Sequence, residues 1–172
     1  ALPPTAAEAQ KYPNRPIRII VPVPAGGGVD LLSRSIGQKM SESMGVPVIA
    51  DNRPGASAAI GTEMLAKSPP DGYTILMGYS AHATNPIFST KLPYDTLKDF
   101  SAITFVGYIP LLLVVHPTVP AKSVKELIAL IKSKPGQMQY ASGGAGAGAH
   151  LSGELLKHLI GVGIIHVPYK GN

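Results

Sequence analysis

Apolar and polar positions fall into short blocks along this chain, and the order of the blocks repeats. "IRIIV", Ile17 to Val21, lies between Pro16 and Pro22 and is apolar enough to be covered on both faces, as a parallel strand is. Leu32, Ile36 and Met40 then recur every four residues, which predicts a helix from about Asp30 to Ser43, ended by Gly45. "VPVIADNRPG" supplies a second strand and a turn. Ala56 to Lys67 reads as a second helix with Ile60, Met64 and Leu65 inward, stopped by "SPPDG", and "YTILMG" is a third strand. Strand, helix, strand, helix, strand in segments this short predicts an α/β layered fold with a parallel sheet.

The pattern changes after the third strand. "SAHATNPIFSTKLPYDTLKDF" is polar and proline-containing, with room for at most a turn or two of helix. Two apolar runs, Ala102 to Tyr108 and Leu111 to Val115, are separated at Pro110 and read as a connection between two small lobes. A second series follows: Ser123 caps a helix, Val124 to Ser133, with Leu127, Ile128 and Ile131 inward. "MQYAS" is a strand, "GGAGAG" a loop, "AHLSGELLKHLIG" a helix, and "VGIIHVPYKGN" a strand and turn. The expected organisation is a polar lead-in over 1–11, a first lobe over 12–108 and the start of a second lobe over 109–172. That second series is thin for a core of its own. Either it docks on the first lobe or the chain is a piece of something longer, and the second is preferred.

Composition narrows the function classes. Over 172 residues, 45% hydrophobic and 15% charged content fit a globular protein, and 19 glycines with 17 prolines fit many tight turns. The net charge of +5 is spread thinly, with no basic run and no interleaved aromatics, so nucleic acid is not an expected partner. With no cysteine, disulfides and thiolate metal sites are excluded. The apolar run "YIPLLLVVH" is far shorter than the roughly 18 residues of a membrane span. "ALPPTAAEAQ" reads as what remains after a signal segment is removed.

Two strand–loop–helix junctions carry the candidate chemistry, "VPVPAGGGVD" and "YASGGAGAGAH". Glycine lets a ligand approach the backbone, and the unpaired N–H groups of a first helical turn favour an anion. Neither loop has the Lys and Ser/Thr of a phosphate-binding loop. Gly144, Gly146 and Ala149 satisfy G-x-G-x-x-A, so the alternative is a nucleotide-binding α/β enzyme using the Gly143–Gly148 loop. Glu154, however, is the last acidic residue, and the ribose-binding acid is missing. "GYSAH" resembles a nucleophile elbow but has His82 where the second glycine belongs. The five histidines lack metal-ligand spacing. His116 and His166, beside prolines at strand ends, read as structural, and His158 falls on a helix surface. His150 is placed to donate to an anion or to cap the second loop, with the first preferred. Asp30 is placed to complement its helix N-terminus and shape the first loop.

Longer stretches occur in a fixed order: "YPNRPIRIIVPVPAGGGVDLLSR", "NRPGASAAIGTEMLAKSPPDGYTILMG", "YDTLKDF", "LVVHPTVPAKSVKELIALIKSKPGQMQYASGGAGAGAHLSGELL" and "HVPYKG". From about Tyr12 onward they resemble the Bug or TctC family, the periplasmic solute-binding receptors of tripartite tricarboxylate transporters. The resemblance implies a two-lobed, Venus-flytrap α/β fold whose second lobe is incomplete here, since members are nearly twice as long. It implies a receptor that captures a small carboxylate for membrane transporter subunits in the periplasm, without catalysis, cofactor or metal. Its ligand-binding positions would be Ala25, Gly26, Gly27 and Asp30 in the first loop, with Ser80 and Asn85 after the third strand. Ser142, Gly143, Gly144 and His150 would belong to the second loop, and Tyr169 to the final turn. None of these forms an evident nucleophile–base pair. A shortened chain would also be open to self-association through an exposed sheet edge.

Overall fold

The computed structural model describes residues 11–89 and 91–169. The lead-in expected at the start lies, but for Lys11, outside the described residues, as do the last three residues of the final turn.

The first strand, β1 (Ile17–Val21), forms as its sequence predicts and sits at the centre of a parallel sheet of order β2-β1-β3. Its partners are β2 (Val48–Asn52) and β3 (Thr74–Leu76), with Ile19 opposite both Ala50 and Ile75. Ile17, Ile19, Ile20 and Val21 are fully buried, while Arg18 reaches out to the Asp51 carboxylate at 2.6 Å. Helix α1 (Gly28–Met44) starts two residues earlier than the apolar period predicts and ends on Gly45 in the left-handed conformation. Its most buried residues are Asp30, Ser33 and Gly37, with Ile36 and Met40 packing beside them on the core of Ile19, Val21 and Met77. A Cβ at position 37 would lie 3.4 Å from Ile19 Cδ1, so glycine sets how closely helix and sheet approach.

Two sequence expectations need correction in this lobe. The second helix does not start at Ala56. Ala56, Ser57 and Ala58 form a short turn with φ of 46°, 51° and 73°, and α2 (Ala59–Ala66) follows. The left-handed turn is held from outside its own segment: Asn85 Nδ2 donates to Ser57 O at 2.9 Å and Thr62 Oγ1 to Ala58 O at 2.9 Å. The inward face of α2 is Gly61 and Thr62, leaving Ile60 exposed. A Cβ at Gly61 would stand 2.9 Å from both Arg53 O and Pro22 Cβ, so the helix docks most closely at its small residues, with Met64 and Leu65 half-buried beside them. The second correction is a helix of nine residues, α3 (Ser80–Phe88), where only a turn or two was expected. It contains Pro86 and is braced by an aromatic group in which His82 meets Tyr94 and Phe100, packing that local propensity does not register.

Residues 101–116 run without regular structure, and most of their apolar side chains are exposed. Beyond them, α4 (Val124–Ser133) has the expected Ser123 cap, whose Oγ accepts from Glu126 N at 3.2 Å. Glu126 in turn accepts from Lys122 N at 2.7 Å. Strands β4 (Gln139–Ser142) and β5 (Ile165–Pro168) pair in parallel, with α5 (Gly148–Ile160) between them in sequence. Leu127, Ile131 and Ile164 form this lobe's small core. His158 is exposed on α5, as expected, whereas His166 lies within β5 and not at its end.

Candidate functional site

Both glycine loops leave the carboxyl end of a strand and enter a helix, and they are built on one plan. In the first, Gly26 has φ 91°, Gly27 is the helix N-cap, Gly28 is the first helical residue and Asp30 the third. In the second, Gly146 has φ 78°, Ala147 is the N-cap, Gly148 is the first helical residue and His150 the third. Gly26 N–H donates to Asp30 Oδ2 at 2.9 Å, and Gly146 N–H donates to His150 Nδ1 at 3.1 Å. Each bond spans four residues and folds the loop back onto its own helix. Neither N-cap residue supplies a side-chain acceptor to the first turn of its helix, in contrast to Ser123 on α4.

The connection lies between the two helix starts. A Cβ at Gly28 would stand 2.9 Å from Ile109 Cδ1, and one at Gly148 would stand 3.5 Å from Leu111 Cδ1 and 3.8 Å from Ser80 Oγ. The lobes also touch directly. Ser57 Oγ donates to Ala145 O at 3.0 Å, Thr84 Oγ1 donates to Gly146 O at 3.0 Å, and the Phe88 and His150 rings lie 5.9 Å apart. The two glycine loops therefore meet, with α3 and the left-handed turn along one side and Ile109 and Leu111 between the helix starts.

The candidate residues fall into two groups in this geometry. Ala25, Gly26 and Ser80 are exposed, Gly27 and Gly143 are half-buried, and Tyr169 is exposed while its N–H donates to Ser142 O at 2.8 Å. Asp30, Asn85, Ser142 and His150 instead spend their polar atoms within the protein. Asp30, 2% exposed, accepts from Gly26 N, Arg34 Nε and Asn52 Nδ2 at 2.8–3.0 Å. The Arg34 hydrogen bond, with those from Gly26 and Asn52, holds its pKa down to about 2. Asn85 supports the left-handed turn and lies 3.3 Å from Tyr94 OH. Gly144 N–H is taken by Ser142 Oγ at 3.2 Å.

Ser142 Oγ lies 2.7 Å from His166 Nε2, a Ser–His contact that sequence spacing did not reveal because 24 residues separate the two. The His166 ring lies 4.9 Å from Tyr140 and 4.2 Å from His150, and burial lowers its pKa. Behind the rings, Glu154 accepts from Tyr140 OH at 2.7 Å and from Lys157 Nζ at 2.8 Å. Ser57, Thr84, Phe88, Ile109 and Leu111 were not singled out in the sequence. The small and apolar types involved are the commonest in any α/β chain, and only the lobe-to-lobe approach distinguishes them. Among the described residues, no group of three or more His, Asp, Glu or Cys side chains converges to hold a metal. Among the described residues, no helix is long and apolar enough to cross a membrane.

Residues 32–172 match the protein family described as Tripartite tricarboxylate transporter family receptor. Among curated proteins, BugT of Bordetella pertussis is 40% identical over 166 residues, 95% of this chain and 51% of BugT. A protein from the tcbD–tcbE intergenic region of Pseudomonas sp. strain P51 is 36% identical over 167 residues, 97% of this chain and 50% of that one. The chain thus spans about half the length of the curated relatives it matches. Among solved structures, Rhodopseudomonas palustris Rpa4515 with adipate superposes with a TM-score of 0.90 at 38% identity, covering 94% of this chain and 54% of that one. MatC from the same organism, with bound malate, superposes with a TM-score of 0.82 at 30% identity, covering 93% and 55%. The two-lobed α/β architecture is that of these periplasmic binding proteins, and the nucleotide-enzyme alternative finds no support among them.

Proposed function

Since the chain belongs to the tripartite tricarboxylate transporter receptor family, we propose that it captures a small organic acid between its two glycine loops. It delivers that acid, in the periplasm, to the membrane subunits of a transporter and performs no chemistry on it. The carrying observation is the pair of matched loops, which meet across the two lobes and enter helices whose first turns have no side-chain cap. Backbone donors of this kind suit a carboxylate, and the adipate and malate bound by the two structural relatives are both dicarboxylates.

Ala25, Gly26, Gly27, Gly143, Gly144, Ser80 and Tyr169 are the ligand's neighbours in this reading. Asp30, Asn85 and Ser142 act through the loops and turns that they hold. Ser142 and His166 are near enough to suggest a nucleophile and base. The hydroxyl, however, is buried and already accepts the Gly144 N–H, so its lone pairs serve the loop. Self-association through the open edges of the three-stranded and two-stranded sheets belongs to the same reading.

Thermal-shift and calorimetric titrations with adipate, malate, NAD and ATP test it. Stabilisation by either acid and none by the nucleotides is expected; a shift with a nucleotide alone overturns the proposal. Ser80→Ala should weaken acid binding by about 1 kcal/mol, roughly fivefold. Gly27→Val, at a position with φ −77°, should weaken binding by roughly tenfold or more by blocking approach to the backbone.

A further inference from the structure

Two hydroxyls of the first lobe reach two consecutive carbonyls of the second: Ser57 Oγ donates to Ala145 O and Thr84 Oγ1 to Gly146 O, both at 3.0 Å. The loop that carries those carbonyls is held from behind by imidazoles. His150 Nδ1 accepts Gly146 N–H at 3.1 Å, and His166 Nε2 lies 2.7 Å from Ser142 Oγ, which accepts Gly144 N–H. The two rings answer a proton differently. A serine hydroxyl can exchange donor for acceptor, so Ser142 can meet either form of His166. A backbone N–H only donates, so Gly146 needs a His150 Nδ1 that carries no proton. Among the described residues, the titratable groups around His150 are His166 on β5, Tyr140 on β4, and Glu154 and Lys157 further along α5, while Phe88 on α3 faces it with an uncharged ring. Glu154 Oε1 stands 3.9 Å from His150 Nε2 and favours a positive ring there, although Lys157 and Tyr140 share that carboxylate. Burial lowers the pKa of His166, whose ring lies 4.2 Å away, and two charged rings at that separation oppose each other.

We propose that His150 makes the contact between the lobes proton-sensitive: the neutral ring holds Gly146 where Thr84 and Ser57 meet the loop, and the imidazolium releases it. A proton gained at Nδ1 sets two donors against each other. Either the ring turns or Gly146 moves, and both take the loop off its clamp. The first loop does not share this response. Its clamp at the equivalent helical position is Asp30, which Arg34, Gly26 and Asn52 hold ionised down to about 2, so Gly26 N–H keeps its acceptor across the whole imidazole range. Acidification therefore loosens one loop of the pair and leaves the other set. His150 acts here through Gly146 and no ligand takes part, so the inference stands or falls apart from the carboxylate reading.

The ¹⁵N-labelled 172-residue chain, free of ligand and in buffers without carboxylates, is taken from about pH 8 to about pH 5, on either side of the ordinary imidazole value. Ring shifts follow the titration of each histidine, and amide exchange, corrected for the intrinsic effect of pH, gives the protection of Gly146 and Gly26. Spin labels on Ser43→Cys and Lys132→Cys, one exposed position per lobe in a chain with no cysteine of its own, report the separation of the lobes. Protection at Gly146 should fall roughly tenfold or more with the His150 ring titration, while Gly26 holds and the label distances lengthen or spread. His150→Asn offers a neutral oxygen near the position of Nδ1 and should keep Gly146 protected and the distances fixed throughout. Glu154→Gln removes the anion beside Nε2 and should carry the whole transition to lower pH. Should His150→Asn not fold, the parent and Glu154→Gln decide the outcome. The inference is overturned if Gly146 keeps its protection or the label distances stay fixed while the His150 ring titrates. A loss that follows another histidine, a loss at Gly26 together with Gly146, or a folded His150→Asn that responds as the parent does overturns it equally.

Discussion

Asp30 and His150 show how one rung of a helix can be used twice with different consequences. Asp30 is legible from the sequence as a partner for its helix N-terminus, because acids favour the first turn. Its capture of Asn52, 22 residues away, is not, since nothing local records which strand end the carboxylate will face. Asp30 is ionised in the folded chain down to about pH 2, against an ordinary 3.8, so it stabilises the fold above the ordinary value and that contribution is lost as pH falls between the two. Asp30→Asn should therefore unfold at lower urea than the parent at pH 7, with the gap narrowing from pH 4 towards pH 2. His82 and His166 titrate in the opposite sense to a stabilised cation, because burial lowers both. The unfolded chain takes up their protons first as pH drops below about 6.5, which removes stability. Urea midpoints at pH 7 and pH 5 should show that loss, and His82→Gln should show less of it.

Among the elements, those that formed as expected carry their instructions locally. β1 is continuous in apolar residues between prolines, and α4 has its Ser123 and Glu126 at the spacing that a cap requires. Ser123→Ala should cost about 1 kcal/mol in a urea melt, because one orphan N–H loses its acceptor. The elements that departed from expectation are held by distant partners. "ASAAIGTEMLA" is a continuous helical sequence on propensity alone, yet its first three residues are left-handed, with Asn85, 28 residues on, bonding the Ser57 carbonyl. Asn85, 4% exposed, enters the sequence reading through the resemblance as a ligand-binding position, and nothing there marks its hold on the Ser57 carbonyl. Asn85→Ala leaves the Ser57 carbonyl without this partner and should destabilise the chain by about 1–3 kcal/mol. Loss of the Ser57 contact to Ala145 should accompany it, seen as faster exchange in the second loop.

Taken whole, the molecule is two small sheets whose glycine loops meet, and the sequence located both loops without indicating that they touch. The order of strands and helices was readable because each block is short and bounded by glycine or proline. The closure depends on hydroxyls meeting backbone carbonyls, Ser57 on Ala145 and Thr84 on Gly146, and no pattern in the chain marks an acceptor carbonyl. The connection, read from the sequence as two apolar runs parted at Pro110, lies largely open, with Phe105, Tyr108 and Leu112 each more than three-quarters exposed. Such a surface should bind a hydrophobic dye and broaden in size-exclusion runs as concentration rises. Phe105→Ser with Leu112→Ser should reduce both effects without moving the unfolding midpoint by more than about 0.5 kcal/mol.

Ile109 and Leu111 stand two residues apart, one seated on the first glycine of each loop's helix. Parting the loops lifts at least one of those side chains from its seat and moves the peptide between them. The chain has no cysteine, so Pro110→Cys would carry a single label at that joint. The joint that touches both loops thus provides an attachment point for an optical gauge, one whose signal follows opening directly and not through the ligand.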